Sequence, residues 1–371
     1  MPKALVVVRW DDRIGTVIEA SYPKGIPELT PDLTMKIYGT HTLGKDLPTP
    51  DFLVAKMENL NIASFYGGLA IQHFVLLLLE QDEKSELYED PLIEVSFKIF
   101  ENLEGKKYRE TLEELFGHLE RYASMTEEQR LALFLSDPNR FAVLDRLVVD
   151  GAVTKGELAE YVKKKTGRSL EIDVSLAQLV KFGLVQTEWV EGLSSECAFL
   201  TRDVFPMRMP ARAIVEKARK GLVPKEVAAE YLSEVQSFFR DYAGRLRGSL
   251  EWLNQEAPLI LWAVQDVNVS DMVRVLHNEV VKVDELREQV KIPEKAFDKS
   301  LSELVNAEFV AVIKDSKGGE YALLKSDPRI ISAYPDHIVN TAIDLYNKGL
   351  VQPAQITRYF TVLKESYPKG G

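Results

Sequence analysis

The sequence predicts an α+β protein in which a five-stranded antiparallel sheet with helices is followed by two repeated units. The first 125 residues alternate short β-branched runs with amphipathic segments of helical spacing. A pattern of three helices, a hairpin and further helices then occurs twice, over residues 140–242 and 268–366, at an offset of 125 to 128 positions. A repeat of this length is too long for a solenoid, so it indicates a duplicated module.

The order of elements in the first 125 residues follows from local patterns. The predicted elements are strands at 4–9 and 16–21, a helix from Asp32 to Leu43, strands at 52–57, 60–66 and 69–79, and helices at 86–102 and 106–122. Asp32 is expected to cap its helix, and Gly44 to end it. Antiparallel hairpins are indicated by Gly67-Gly68. The last strand is apolar throughout, as in a central strand covered on both faces.

This order resembles the longin/roadblock superfamily, in which helices surround a five-stranded sheet. The residues that carry the resemblance are Val6-Val7-Val8, Trp10-Asp11, Gly15–Pro23 and Phe65-Tyr66-Gly67-Gly68. It implies a platform for protein partners, as in small-GTPase regulators, vesicle-traffic proteins and the signal-recognition-particle receptor. The superfamily has no general set of catalytic residues, so none is expected here.

Each repeat is predicted to contain three helices and a two-stranded wing. In the first copy, Thr154 and Glu157 form a capping box, and strands at 184–190 and 196–200 flank a turn. In the second copy, Ser270 is expected to cap the first helix, Val283–Val290 to form the second and Pro293 to start the third; the hairpin is 309–314 with 320–324. Both copies resemble winged helices over about 65 residues each.

The chain is accordingly divided into five segments. These are a longin-like domain at 1–125, winged helix 1 at 126–205, a helical extension at 206–256, winged helix 2 at 257–327 and a C-terminal helical extension at 328–371. Ala257-Pro258 is expected to mark the joint between the repeats. The extension helices either pack against the winged helices or the other copy, or form a groove for a dimer or partner.

Winged helices often bind DNA through the third helix, which then carries basic and amide side chains on its outer face. The outer faces expected here are Glu171, Asp173, Ser175, Gln178 and Lys181 in one copy, and Glu294, Lys295, Asp298, Lys299, Ser302 and Glu303 in the other. Carboxylates repel phosphates, so these helices favour protein partners, and winged helices of the ESCRT-II complex are the better analogy.

Charge leaves one candidate for polyanion binding. The net charge is −11, and residues 1–125 contribute about −8, from 13 basic and 21 acidic residues. The candidate basic patch consists of Arg208, Arg212, Arg219 and Lys220. The alternative interpretation is a solvated helix face.

Four of the five candidate partner contacts lie at the first turn, and the fifth lies in the predicted strand at 60–66. They are Trp10, Asp11, Asp12, Arg13 and Tyr66. The competing interpretations are a turn role for the acidic pair and core packing for Trp10, Tyr66 and Trp189. Hydrophobic side chains at protein interfaces often include such aromatics.

No cofactor or metal is expected. The five histidines show no ligand spacing, and Cys197 is the only cysteine, which excludes a disulfide framework and favours a reducing, cytoplasmic location. Residues 39–45 match G-x-x-x-x-G-K, but Asp46 stands where a phosphate-binding loop needs Ser or Thr. Neither a signal peptide nor a transmembrane segment is expected, because the longest apolar run, Phe74–Leu79, is too short.

The leading hypothesis is a non-enzymatic adaptor or regulator that binds a small GTPase or the subunits of a trafficking-type complex. The architecture also resembles the Nprl-type subunits of the complex that controls Rag GTPases. One alternative is a winged-helix transcriptional regulator with the longin-like domain as sensor or dimerisation module. Another is a GTPase activator with Arg13 as an arginine finger. A homodimer is a further arrangement that the sequence permits.

Overall fold

A computed structural model of the chain describes residues 2–26, 29–43, 49–57, 60–167, 172–246 and 250–367. The fold class is α+β, as predicted. The chain divides into two compact units, residues 1–125 and residues 126–371. In the described part of the chain, no helix combines the length and the apolar character that crossing a bilayer requires.

The N-terminal unit contains the predicted five-stranded antiparallel sheet. Its strands are β1 (Pro2–Asp11), β2 (Gly15–Tyr22), β3 (Asp51–Met57), β4 (Leu60–Tyr66) and β5 (His73–Leu79). Its helices are α1 (Pro31–Thr42), α2 (Glu89–Phe100) and α3 (Tyr108–Ser124). The sheet order is β2-β1-β5-β4-β3, so β5 is central, and all seven of its residues are buried as predicted. The edge strands are β2 and β3.

Helices cover both faces of this sheet. Leu5, Val7 and Leu77 belong to the core that α2 and α3 complete, whereas Val6 packs on the opposite face with Ile37 of α1. Two local predictions are wrong. The N-cap of α1 is Thr30, with Asp32 in the first turn, because Pro31 fits the first helical position. The last strand begins at His73 instead of 69, because Gly68 and Gln72 have positive φ and form a turn.

The C-terminal unit consists of two repeats of ten elements. The first contains α4 (Glu127–Ser136), α5 (Pro138–Asp150), β6 (Ala152–Thr154), α6 (Lys155–Thr166), α7 (Ile172–Lys181), β7 (Val185–Glu188), β8 (Cys197–Leu200), β9 (Asp203–Pro210), α8 (Arg212–Arg219) and α9 (Lys225–Leu246). The second contains α10 (Leu250–Gln265), α11 (Val267–Asn278), β10 (Val281–Lys282), α12 (Val283–Val290), α13 (Glu294–Asn306), β11 (Val310–Lys314), β12 (Glu320–Leu324), β13 (Ser326–Ala333), α14 (Asp336–Asn347) and α15 (Pro353–Ser366).

The two repeats have the same order of elements and the same sheet order, β6-β8-β7 and β10-β12-β11. Both predicted hairpins are present, and Thr154 with Glu157 forms the predicted capping box. The repeat is longer than the sequence indicates, because it begins with α4 and α10. The offset returns to 128 positions near the end of the repeat because α14 has 12 residues where α8 has 8.

Three expectations for the repeats are wrong. Asp266, not Ser270, caps α11, and its carboxylate accepts the Val269 N–H at 3.0 Å. Ala257-Pro258 lies inside α10, which packs against α4, so it does not mark a joint. Residues 206–210 and 328–333 are strand, not helical extension. Prolines in both segments hide the strand pattern, since proline is tolerated only where its nitrogen faces away from the partner strand.

The strands β9 and β13 pair with each other about a local twofold axis. The N–H groups of Thr201 and Arg202 donate to Leu184 O, as those of Lys325 and Ser326 donate to Phe309 O. These bonds make Asp203 equivalent to Asp327, and therefore Pro206 equivalent to Ile330. In the antiparallel register Pro206 faces Ile330. A residue paired with its own equivalent lies on the axis, as in an isologous dimer interface.

The repeats exchange their C-terminal helices. Tyr231 on α9 donates its hydroxyl to Leu324 O of the second repeat at 2.7 Å. Gln355 on α15 donates to Ala152 O of the first repeat at 3.0 Å, and Tyr359 packs on Phe199 with ring centroids 5.9 Å apart. The predicted packing of the extension helices against the other copy is thus confirmed. One hydrophobic core runs through both repeats.

We predict different effects for the same substitution at the two equivalent tyrosines. Tyr231→Phe leaves the buried Leu324 carbonyl without its bond, so it should lower the free energy of unfolding by about 1–2 kcal/mol. The buried hydroxyl of Tyr359 has no hydrogen-bond partner among the described residues, so Tyr359→Phe should leave stability equal or higher. Urea unfolding followed by circular dichroism measures both. Equal losses for the two variants would contradict the assigned bonds.

Candidate protein-interaction site

The turn between β1 and β2 uses both carboxylates of the acidic pair. Asp11 Oδ1 accepts the backbone N–H groups of Arg13 and Ile14, at 3.0 and 3.3 Å. The bond from Arg13, followed by that from Arg9, lowers the pKa of Asp11. Asp12 Oδ1 accepts the indole N–H of Trp10 at 2.9 Å. Both acids therefore stabilise the turn, and the side chain of Arg13 is exposed at its tip.

Aromatic stacking joins this turn to α1. The Trp10 ring lies on Tyr38 with centroids 4.0 Å apart and planes 9° from parallel. Tyr38 in turn meets Tyr66 edge-on at 5.8 Å. Tyr66 is fully buried, and burial raises its pKa to about 12. The interpretation of Tyr66 as a partner contact is therefore wrong, because its ring belongs to the core between the sheet and α1.

Three exposed apolar side chains lie beside this stack. Ile14 is 71% exposed, Ile18 40% and Met35 41%. Met35 packs over Gly15, whose φ of +82° lies in the left-handed region that favours glycine. Together with Trp10 they form the hairpin surface, next to the outer edge of β2, which pairs with no strand among the described residues. The sequence analysis did not single out these three residues. The position of Ile14 within a polar turn could have indicated its exposure, whereas no sequence pattern indicates that of Ile18 or Met35.

A polar cluster on the other face of the sheet fixes β2. A β-bulge makes Glu19 the extra residue opposite Val7 and Val8, and bulges re-aim side chains in this way. Its side chain is 9% exposed. It accepts bonds from Arg9 Nε at 3.2 Å and from Tyr108 Oη at 3.0 Å. Sequence reasoning missed this cluster, because a bulge leaves no mark in strand periodicity.

Two further nitrogen-bearing side chains complete the cluster. His73 Nε2 and Lys106 Nζ lie 3.4 and 3.5 Å from the Glu19 carboxylate. Burial alone raises the pKa of Glu19, but the hydrogen bond from Tyr108 and the charges of Lys106 and His73 outweigh it and lower the pKa overall. The carboxylate is ionised and its oxygens are occupied, so its role is to attach the edge strand to α3.

We predict a pH-dependent effect of Glu19→Gln. At pH 7 the variant should lose about 1–3 kcal/mol of unfolding free energy, because buried donors lose a charged acceptor. Since the folded-state pKa is depressed, this contribution is complete above the unfolded-state value of about 4.3 and is lost as pH falls through the folded-state pKa. The difference between wild type and variant should therefore shrink on acidification. Urea titrations at pH 7 and below pH 4 test this, with Glu114→Gln on exposed α3 surface as control; a constant difference would refute the assignment.

Arg208 does not belong to the candidate basic patch. Arg208 is 5% exposed. Its guanidinium pairs with Glu256, donates to Ala307 O at 2.6 Å and lies 4.0 Å over the Phe309 ring. Its place in the patch is therefore wrong, because β9 carries it into the interior. Arg212, Arg219 and Lys220 are exposed on or next to α8, where Lys220 pairs with Glu216 at 3.1 Å.

The outer faces of the third helices are partly as expected. On α7, Ser175 and Gln178 are buried, which corrects their placement, and Asp173 pairs with Lys155. Glu171 and the residues Gly44, Lys45 and Asp46 lie outside the described residues. On α13, Asp298 pairs with Arg287 at 2.8 Å. Core packing of Trp189 is wrong, since it is 72% exposed.

No family model matches the chain, and no curated protein sequence is significantly similar to it. Within the described ranges, no three His, Cys, Asp or Glu side chains are grouped so that they could hold a metal ion. In the N-terminal unit, the hairpin surface groups Trp10 with three exposed apolar side chains beside β2.

Proposed function

We propose that the chain is a protein-interaction adaptor or regulator that binds a small GTPase, or a subunit of a trafficking-type complex, through the hairpin surface. The observation that carries the proposal is the exposure of Ile14, Ile18 and Met35 beside the outer edge of β2. Exposed apolar side chains next to an open strand edge favour association with another chain. The longin-like and winged-helix interpretations are part of this proposal.

Charge in the C-terminal unit supports a protein partner over nucleic acid. Phosphate binding requires clustered, uncompensated cations. Arg208 is buried, and ion pairs join Lys155 to Asp173 and Arg287 to Asp298. The burial of Arg208 and these ion pairs therefore weaken the support for the transcriptional-regulator alternative.

The test is an affinity capture with variants of the hairpin surface. Ile14→Asp introduces a charge at the centre of the surface and should remove a GTPase or complex subunit that wild type recovers in nuclease-treated lysate. Leu222→Asp is the matched control, because Leu222 is 69% exposed in the other unit. Both changes lie on the surface, so stability should change by no more than about 0.5 kcal/mol.

The outcomes separate the hypotheses. Equal recovery of partners by wild type and Ile14→Asp would remove the hairpin surface from the proposal. Recovery of nucleic acid, with all partners lost on nuclease treatment, would favour the transcriptional regulator. Stimulated GTP hydrolysis that disappears in Arg13→Ala would instead assign an arginine finger to the exposed turn.

A further inference from the structure

The twofold relation makes the outer edge of β9 equivalent to the outer edge of β13. Side chains of the chain itself cover the edge of β9, which we call the filled half, whereas the edge of β13 borders a cleft. In the filled half, Arg208 of β9 lies over Phe309 and pairs with Glu256 of α10. By the register of the axis, Ser332 is the equivalent of Arg208, and Leu184 is the equivalent of Phe309. The second half therefore has a short hydroxyl and a smaller apolar side chain where the first has a guanidinium and a ring.

The end of α9 completes the filled half. Phe238 and Tyr242 stand one turn apart, with ring centroids 5.6 Å from each other. The Tyr242 hydroxyl accepts the outward N–H of Arg208 at 3.1 Å, and the Arg208 guanidinium lies 5.5 Å from the Phe238 ring. Two aromatic side chains at i and i+4 thus cover the outer edge of β9.

Within the described residues, which end at 367, the equivalent helix provides no such cover. Phe238 follows Tyr231 on α9 by seven residues. The equivalent position, seven residues after Tyr359, is Ser366, and α15 ends at that residue. The outer edge of β13 instead borders a cleft of about 810 Å³, whose walls include Phe182, Leu184, Ile331 and Ser332. This volume lies within the range of about 300–1,000 Å³ that is typical of ligand sites.

Charged and polar side chains also line the cleft, and they include Glu127, Glu128, Arg212, His277, Asp327 and Arg329. Glu128 of α4 accepts the outward N–H of Ile330 at 2.9 Å and pairs with Arg329 at 3.2 Å. Glu127, exposed at the start of the same helix, also lines the cleft. The cleft therefore combines an apolar wall with carboxylates, as the surroundings of Arg208 combine the Phe309 ring with Glu256 in the filled half.

We propose that this cleft is the docking groove for an amphipathic helix of a partner protein, which presents two aromatic side chains one turn apart and a basic residue for Glu127. The occupant is specified by the molecule's own filled half, where α9 supplies the same aromatic pair within the chain. Docking of a helix into an apolar groove through residues at i and i+4 is a common recognition mode. The inference rests on the proposed adaptor function, but it concerns a different unit.

The probe is a fluorescein-labelled synthetic peptide with the sequence of α9, residues 225–246, titrated with the full-length protein by fluorescence anisotropy. Saturable binding is expected. A peptide with both Phe238→Ala and Tyr242→Ala should bind at least about tenfold more weakly, because buried aromatic anchors dominate such interfaces. Absence of saturable binding by the unmodified peptide would overturn the proposal.

Variants of the protein locate the binding. Ala213 and Ser332 are exposed and line the cleft, so Ala213→Trp and Ser332→Trp should each weaken binding at least about tenfold by filling the groove. Ala177→Trp, on the exposed face of α7, is the matched control and should bind like wild type. Thermal unfolding verifies that all variants are folded. Unchanged binding by both cleft variants would mean that the peptide replaces α9 at the filled half, which refutes the groove.

Failure here is distinguishable from failure of the adaptor proposal. Ile14→Asp changes only the hairpin surface, so it should bind the α9 peptide like wild type. A protein that loses its partners in Ile14→Asp but never binds the peptide retains the adaptor proposal and loses the groove.

Discussion

Antiparallel pairing of β9 with β13 determines the architecture of the whole C-terminal unit. The pairing places the two repeats about one axis, with Pro206 opposite its equivalent Ile330. That geometry allows α9 to reach β12 of the second repeat and α15 to reach β8 of the first, where Tyr231 and Tyr359 are fully buried. Each repeat alone would expose the sheet that the other's tail covers. Since both copies belong to one chain, the exchange does not depend on protein concentration.

The close approach of α15 to the first repeat depends on Gly151. Its φ is +77°, and a Cβ there would lie 2.5 Å from Tyr359 Cε1. A left-handed glycine therefore both ends α5 and provides the space in which the Tyr359 ring packs. Tyr231, the equivalent of Tyr359, instead donates a hydrogen bond to Leu324 O. Thus α9 and α15 occupy equivalent positions but are held there by different contacts.

Burial of Arg208 is the main break in this symmetry. A guanidinium removed from water is costly unless its donors are satisfied. Here Glu256, Ala307 O and Ser326 Oγ accept its hydrogen bonds, and the faces of Phe309 and Phe238 cover it. Arginine suits this place because its planar fork bonds in several directions while it stacks on rings. The equivalent residue Ser332 has a short side chain without a charge to satisfy, so a cleft borders β13 where Arg208 and its partners fill the space beside β9.

Local patterns in the sequence account for most elements but not for the functional surfaces. Periodicity and caps predict β5 as the central strand, the Thr154 capping box and both hairpins, because these depend on neighbours in sequence. The strands β9 and β13 were missed, since Pro206 and Pro328 disguise them, and their partners lie more than 100 residues away. Arg208 was misread for the same reason: a charged residue is expected at the surface unless its distant partners are known.

The edge strand β2 has one face fixed by a polar cluster and one face with exposed apolar side chains. Edge strands invite pairing with other chains, and proteins restrict this with bulges and inward-pointing charges. Glu19 supplies both devices on the face toward α3, where its bonds to Arg9 and Tyr108 hold the strand in place. The opposite face retains Ile14, Ile18 and Met35 in the open.

Under the proposed adaptor function, charge bears on the choice of partner. The sequence of the N-terminal unit carries a net charge of about −8, and a field of this sign attracts basic surfaces and repels a second copy of the unit. At a specific interface, apolar side chains supply buried area and the charges around them discriminate between partners. For the proposed function we therefore expect a partner surface with apolar residues at its centre and basic residues at its rim.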